Sequence, residues 1–454
     1  MIKKEIFRQY DIRGIVGEDL TPEVAEYIGK AFGTYLRERG GKSVCVGKDV
    51  RISSPALKDS LVSGLLSTGV KVIDIGTVPT PVLYFSIHHF SADGGIMVTG
   101  SHNPIEYNGF KICHGLFSIY GEEIQNLRRK IEREEFLEGK GEYHEEDPRP
   151  AYIDTLSSLV KIQKNLKVVV DAGNGTAGSI VKPLFEKLGI KLIGLYMEPD
   201  GRFPHHLPDP TIPAYMEDLI KKVKEVGATV GIGYDGDADR IGAVDEKGEI
   251  VWGDKLLALF SKKILKEHPG STIIMDVKCS QGVVEYIQKL GGNPLIWKTG
   301  HSLIKEKMRK EKALLAGEMS GHMFFADNYL GFDDAIFASL RLLEILSEEN
   351  RPLSELVKEI PYYYSTPEIR VDCPEDKKFQ VVNELKEYFA KRYPIIDVDG
   401  VRFITSKGWG LIRASNTQPI LVLRFEAKEK SALEDLKNEV KEKLKDYPFV
   451  PLNW

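Results

Sequence analysis

Cysteine is scarce in this chain of 454 residues. Its four cysteines, Cys45, Cys113, Cys279 and Cys373, lie far apart and form no Cys-x-x-Cys pair. That spacing excludes a disulfide framework and reads as reduced thiols. No run of about 18 apolar residues occurs, so neither a membrane span nor a membrane partner is expected. Met1-Ile2-Lys3-Lys4-Glu5 lacks the apolar stretch of a signal peptide, and the expected location is cytoplasmic. A basic excess is also missing. Lys and Arg number 62 against 67 Asp and Glu, a net charge of −5, which argues against a nucleic-acid partner. An anionic substrate then requires a locally positive cleft. Glutamine is rare beside abundant Lys and Glu, the bias of a heat-adapted protein.

What remains is ordinary globular material, 42% hydrophobic and 28% charged, enough for cores. At roughly 100–200 residues per domain the length predicts several domains. Short apolar runs alternate with amphipathic stretches. Ser43–Gly47, Val70–Gly76 and Gly95–Val98 read as strands, with a helix near Ala56–Ser67. This βαβ rhythm predicts a mostly parallel sheet with helices on both faces. Ligands gather beyond the carboxyl ends of such strands. The rhythm restarts at Lys167–Asp171, after the charged stretch Glu132–Arg149, and again at Ile250–Trp252 with a helix over Lys255–Lys266 and a strand at Thr272–Asp276. The last stretch differs, with a helix around Lys377–Arg392, a hairpin over Gly400–Ala427 and a helix around Ser431–Leu444. The fold class is α/β: three similar mixed domains and a smaller C-terminal α+β domain. The domains are 1–149, 150–249, 250–362 and 363–454.

Asp235-Gly236-Asp237-Ala238-Asp239-Arg240 packs three carboxylates into five residues. Alternating in an extended loop, they suit a hard divalent cation. A calcium EF-hand is the rival, with Glu246 at the twelfth position from Asp235. It needs Gly at the sixth position, where Arg240 stands, and flanking helices, where Thr229–Ile232 and Ile241–Val244 alternate like strands. Arg240 suits phosphoryl oxygens or an ion pair with one of the aspartates. Thr99-Gly100-Ser101-His102-Asn103-Pro104 follows a strand and offers a hydroxyl. With Lys111 it presents a hydroxyl, an imidazole and an ammonium in eleven residues. Phosphoryl transfer needs positioning, charge neutralisation and a proton shuttle, and His102 and Lys111 are candidates for the last two.

Gly173, Gly175 and Gly178 match the G-x-G-x-x-G fingerprint after a strand, with Glu198 and Asp200 about 20 residues on. No hydride chemistry accompanies them, and they read as a tight strand-to-helix turn. Gly317-Glu318-Met319-Ser320-Gly321-His322 groups a carboxylate, a hydroxyl and an imidazole, a set for gripping sugar hydroxyls or capping a helix. Lys298-Thr299-Gly300-His301-Ser302 adds donors upstream, and Lys278 closes another strand. Arg413-Ala414-Ser415-Asn416-Thr417-Gln418-Pro419 forms a ready anion pocket.

These motifs, together with Phe7-Arg8-Gln9-Tyr10-Asp11-Ile12-Arg13-Gly14, occur in an order that covers nearly the whole chain. The chain resembles the α-D-phosphohexomutases, in particular their phosphomannomutase/phosphoglucomutase branch. The resemblance implies four domains around a central cleft, the fourth mobile and closing to exclude water. It implies a phosphoserine at Ser101, and Mg²⁺ on Asp235, Asp237, Asp239 and that phosphoserine. A hexose 1-phosphate and a hexose 6-phosphate would interconvert through a hexose 1,6-bisphosphate. Glu318 and Ser320 would hold sugar O3 and O4, and Arg413, Ser415, Asn416 and Thr417 the idle phosphate. Tyr10, Arg13, Lys278 and His301 would line the cleft. Lys111 and His322 would be the general acid/base groups, with Arg240 orienting the phosphoserine. Phosphoglucosamine mutase is the alternative within the family, where Gln typically replaces Met319. A metal-dependent sugar phosphatase and a silent sugar-phosphate sensor are rivals outside it. The oligomeric state, monomer or homo-oligomer, stays open.

Overall fold

The computed structural model describes residues 2–163, 165–349, 351–415 and 418–454. They form two compact units. The first holds Met1–Leu256 and Ser320–Leu356, and the second holds Leu257–Met319 and Val357–Trp454.

The first unit carries two sheets. In the first sheet the strands run in the order Ile12–Ile15, Tyr107–His114, Gly94–Val98, Ser43–Lys48, Lys71–Thr77 and Tyr143–Glu145, with Phe117–Ser118 paired to Tyr107–His114. Pairing is parallel from Gly94–Val98 to Tyr143–Glu145 and antiparallel on the other side. Gly94–Val98 is buried along its whole length, as expected of a central strand covered on both faces. A Cβ on Gly94 would meet Phe32 at 3.1 Å, and one on neighbouring Gly95 would meet Ile87 at 2.6 Å. Successive residues face opposite ways, so the helices Pro22–Arg37 and Thr80–His89 lie on opposite faces.

Pro22–Arg37 begins where sequence chemistry dictates. Thr21 Oγ1 accepts from Val24 N, and Pro22 occupies the first helical position. Ala25, Ile28, Phe32, Tyr35 and Leu36 form its buried stripe. It packs on the helix Ser54–Ser67 at backbone distance. A Cβ on Gly29 would stand 2.2 Å from Leu61 O, and one on Gly64 2.1 Å from Glu26 O.

The second sheet runs Ile250–Val251, Ile241–Val244, Val230–Tyr234, Lys167–Asp171, Lys191–Leu195. Its last three strands are parallel and its first two antiparallel. Two details depart from the sequence reading. Ile250–Val251 pairs with Ile241–Val244 as an edge of this sheet instead of opening a new unit. Within the charged stretch Glu132–Arg149, Tyr143–Glu145 adds an edge strand to the first sheet that the sequence reading did not place. The exposed edge Tyr143–Glu145 gains its place from backbone pairing, which leaves no apolar signature, and the apolar pair Ile250–Val251 carries no mark of which strand it joins.

The second unit contains three parallel strands, Asn293–Trp297, Thr272–Asp276 and Leu315–Gly317, and a six-stranded antiparallel sheet. In the latter, Val401–Ile404, Gly408–Ala414 and Ile420–Ala427 form a meander where a single hairpin was expected. Phe389, from the helix Lys378–Ala390, stacks on Phe403 of this sheet with centroids 4.1 Å apart. Among the described residues, no helix is long and apolar enough to cross a membrane.

Gly64→Ala should destabilise the protein by about 1–3 kcal/mol, because the helix backbones leave no room for a methyl group. Urea midpoints of the two proteins check this, and an unchanged midpoint would contradict the close approach.

Candidate active site

Ser101 follows the strand Gly94–Val98 with its backbone in the left-handed region, at φ 48°. A non-glycine residue holds that conformation only where its surroundings over-determine it. Here they do. Arg51 is almost fully buried. Its guanidinium donates to the carbonyls of Ser101 (2.9 Å), Asn103, Pro104 (2.6 Å) and Tyr107 (2.9 Å). Asp49 Oδ2 accepts from Thr99 Oγ1 and Gly100 N, both at 2.9 Å, and lies 3.5 Å from Arg51 Nε. Arg13 Nη1 donates to Asn103 Oδ1 at 2.8 Å.

The acidic loop connects the strands Val230–Tyr234 and Ile241–Val244 as a β-hairpin, which excludes the EF-hand. It lies directly against the serine loop. A Cβ on Gly236 would stand 2.6 Å from Ser101 O. Behind it, a Cβ on Gly175 would stand 2.7 Å from Gly236 O, which accepts from Thr176 N at 3.0 Å. The glycine-rich turn therefore braces the acidic loop. Gly173, at φ 51°, makes the turn between strand and helix.

All three aspartates are fully buried, with one oxygen from each lying within 4.8 Å of the others. Asp235 Oδ2 accepts from Ser101 Oγ at 2.8 Å, and Oδ1 accepts from Asp239 N and Arg240 N. Asp237 Oδ2 accepts from Thr80 Oγ1 (2.5 Å) and Lys111 Nζ (2.6 Å). Lys111 Nζ also bonds Asp239 Oδ2. Asp237 Oδ1 and Asp239 Oδ1 are buried and accept no hydrogen bond. Two buried carboxylate oxygens that accept no hydrogen bond, beside a serine hydroxyl, fit a hard divalent cation.

The charges follow from this crowding. Burial pushes Asp235 well above the usual carboxylate range, and the charges of Asp239 and Asp237 add to it. For Asp239 burial works the same way, but neighbouring cations, Lys111 foremost, outweigh it and hold the group below the usual carboxylate range. Burial opposes the charge on Lys111, and the three aspartates overcome it and keep the ammonium. Desolvation, then Arg240, Arg13 and Lys111, drive His102 well below its usual value. It is a neutral imidazole, with Nδ1 at 3.1 Å from Ser101 Oγ.

Arg240 Nε donates to His322 Nε2 at 3.0 Å. The imidazole proton therefore sits on Nδ1, which lies 3.3 Å from Asp333 Oδ2 and 3.8 Å from Asp239 Oδ1. His322 reaches this point because Gly321, at φ 95°, has its Cβ position 2.3 Å from Ile241 O. Tyr10 is half-buried, one residue before Asp11, whose carboxylate pairs with Arg13 at 2.7 Å.

The other expected site residues belong to the second unit, except Ser320. Lys278 follows the strand Thr272–Asp276 by two residues. Arg402 Nη1 clamps the main chain on both sides of it, at Val277 O (2.9 Å) and Cys279 O (2.8 Å). Lys278 Nζ stands 3.3 Å from Glu368 and 3.8 Å from Asp276. The Lys278 charge brings Glu368 down to about 2 against the resistance of burial. Arg413 Nε donates to Asp399 Oδ2 at 3.0 Å, and the same oxygen accepts from Thr299 N at 3.2 Å. Glu318 Oε1 accepts from Gly300 N at 2.6 Å, one residue before His301 opens a helix. Ser415 Oγ accepts from Gln418 N at 3.2 Å. Asn416 and Thr417 lie outside the described residues.

Ser101, His102, Lys111, Asp235, Asp237, Asp239, Arg240 and His322 are thus assembled in one unit. Sequence reasoning missed Asp49, Arg51, Thr80, Asp333, Glu368 and Asp399. The first three were within reach. Asp49 and Arg51 lie one and three residues after the strand Ser43–Lys48, and Thr80 three after Lys71–Thr77, at the carboxyl ends where ligands gather.

A serine hydroxyl bonded to a cation-ready acidic loop, with fixed cations around it, is the equipment of a phosphotransferase. Four family models match the chain. They are the phosphoglucomutase/phosphomannomutase alpha/beta/alpha domain I over residues 4–138, domain II over 150–248, domain III over 252–364 and the C-terminal domain over 368–443. A phosphomannomutase/phosphoglucomutase of Pseudomonas aeruginosa is 47% identical, over 97% of this chain and 95% of that protein. A phosphoglucomutase of Neisseria gonorrhoeae is 42% identical, over 99% and 98%. The crystal structure of a phosphoglucomutase/phosphomannomutase family protein from Burkholderia thailandensis superposes with a TM-score of 0.93. It shares 41% identity and covers 98% of each chain. The chain belongs to the phosphoglucomutase/phosphomannomutase family.

Gly236→Ala should push the acidic loop off Ser101 and lower turnover by about 10²-fold, the cost of a misplacement near 1 Å. Steady-state kinetics beside a melting curve test it, and full turnover would refute the close packing. Glu368→Gln probes the second unit. The folded carboxyl sits below its ordinary value of 4.5, so its contribution is present above about pH 4.5 and fades as pH falls towards 2. The variant should lose about 1–3 kcal/mol at neutral pH. Its deficit should shrink from pH 4.5 downward in urea titrations, whereas a deficit constant with pH would reject the pairing.

Proposed function

We propose that the protein interconverts hexose 1-phosphate and hexose 6-phosphate, with mannose and glucose as its sugars, by way of a phosphoryl group carried on Ser101. The single observation behind this reading is the 2.8 Å hydrogen bond from Ser101 Oγ to Asp235 Oδ2. It joins the nucleophile to the acidic loop. Mg²⁺ held by Asp235, Asp237, Asp239 and the serine oxygen would supply divalent charge to neutralise the phosphoryl oxygens.

The chain's own residues do the rest. In the first half-reaction a sugar hydroxyl oxygen bonds to the phosphorus on Ser101, and the P–Oγ bond breaks. His322, unprotonated at Nε2, takes the hydroxyl proton, and Lys111, held as an ammonium, returns a proton to Ser101 Oγ. The product is a hexose 1,6-bisphosphate. In the second half-reaction Ser101 Oγ attacks the other phosphate, the proton movements reverse, and the isomerised monophosphate leaves. Arg240 orients the phosphoryl group. Glu318 and Ser320 hold the sugar hydroxyls O3 and O4. Arg413 and Ser415, with Asn416 and Thr417, hold the phosphate that is not reacting, and Tyr10, Arg13, His102, Lys278 and His301 bind substrate. Residues 1–149 carry the serine, 150–249 the cation loop, 250–362 the sugar loop and 363–454 the phosphate loop. Four buried, unbridged cysteines support a cytoplasmic setting.

With Mg²⁺ present, kcat/KM should be comparable for mannose 1-phosphate and glucose 1-phosphate and much lower for glucosamine 1-phosphate. A dominant glucosamine rate would move the protein to the phosphoglucosamine branch. Free phosphate in place of isomerised sugar would make it a phosphatase. Ser101→Ala should abolish turnover, and retained activity would overturn the phosphoserine route.

A further inference from the structure

Thr80 is the first residue of the helix Thr80–His89, three residues after the strand Lys71–Thr77 ends. It is fully buried and addresses Asp237 twice. Its backbone N donates to Asp237 O at 2.8 Å, and its hydroxyl donates to Asp237 Oδ2 at 2.5 Å. Lys111 Nζ approaches the same Oδ2 at 2.6 Å. Both donors therefore crowd one carboxylate oxygen, and Oδ1, equally buried, accepts nothing.

A carboxylate can rotate about its last bond and exchange its two oxygens. Lys111 favours the observed orientation, but its ammonium is shared with Asp239 Oδ2 and sits at the end of a four-carbon stem, so it fixes Asp237 less rigidly than a group anchored to Asp237 itself. The Thr80 hydroxyl has no such freedom. Its residue is anchored to Asp237 through the main chain, so the hydroxyl sits at one fixed place relative to the carboxylate. We infer that Thr80 is a positioning residue, which locks Asp237 so that Oδ1 is the oxygen offered to a divalent cation. The inference rests on the reading of Asp235, Asp237 and Asp239 as the cation site. Partners of this kind, hydrogen-bonded to a metal ligand, typically carry 10–100-fold in metal affinity.

The test uses the full chain and Mn²⁺ alone, with binding measured by calorimetry and by the electron paramagnetic resonance signal of free Mn²⁺. Thr80→Val removes the hydroxyl at almost constant volume, and Thr80→Ser keeps it. Thr80→Val should weaken Mn²⁺ binding by about 10–100-fold, while Thr80→Ser should stay within about threefold of wild type. Metal-free melting temperatures report the merely structural role. A variant that melts earlier but binds Mn²⁺ as tightly as wild type overturns the inference and leaves the cation site standing. Wild type that binds no Mn²⁺ overturns the cation site and the inference together. Should Thr80→Val fail to fold, Thr80→Ala makes the same comparison with less steric demand, and undiminished affinity there is equally fatal.

Discussion

Three buried carboxylates in one loop are the constraint around which the first unit is built. Two like charges 4 Å apart repel by about 4 kcal/mol at an effective dielectric constant near 20. Asp235, Asp237 and Asp239 cannot all ionise in a buried loop without compensation. Lys111 supplies part of it, from a strand of the first sheet, to a hairpin loop of the second. The charge balance therefore ties two sheets together, and the same tie brings Ser101 to Asp235. What Lys111 and Arg240 leave uncompensated is what a divalent cation would take up.

Close backbone approach makes that electrostatic arrangement possible. Gly175, Gly236 and Ser101 stack loop on loop at distances that exclude a side chain. Arg51 holds the serine backbone in a conformation that would otherwise relax. A cation donating to four carbonyls of one loop leaves that loop little to rearrange, which is the preorganisation phosphoryl transfer demands. The cost falls on local strain at Ser101, and Arg51 with Asp49 offsets it.

The second unit handles its charges differently. Lys278 and Arg413 are each held by a carboxylate, Glu368 and Asp399 respectively. Such pairs keep long cationic side chains in one geometry before an anion arrives. Arg402, stacked 3.8 Å above Trp409, fixes the main chain around Lys278 from beneath.

Much of this was legible in the order of residues. The three aspartates with glycine and arginine, the serine after an apolar strand, and the β-alternation that ruled out an EF-hand are local patterns, and local chemistry dictates them. The meander after Gly400, the edge strand Tyr143–Glu145 and the pairing of Ile250–Val251 were not legible, because strand partners are chosen by neighbours distant in sequence. The same reason hid Asp333, Glu368 and Asp399, whose roles come wholly from the cation or imidazole each one meets. The chain alone determined the family-typical motifs, their order and the turns that present them. Only the tertiary structure decided which oxygen of Asp237 is occupied, which nitrogen of His322 bears the proton, and that Arg51 grips the serine loop. Those outcomes depend on contacts closed across many tens of residues, which no local pattern encodes.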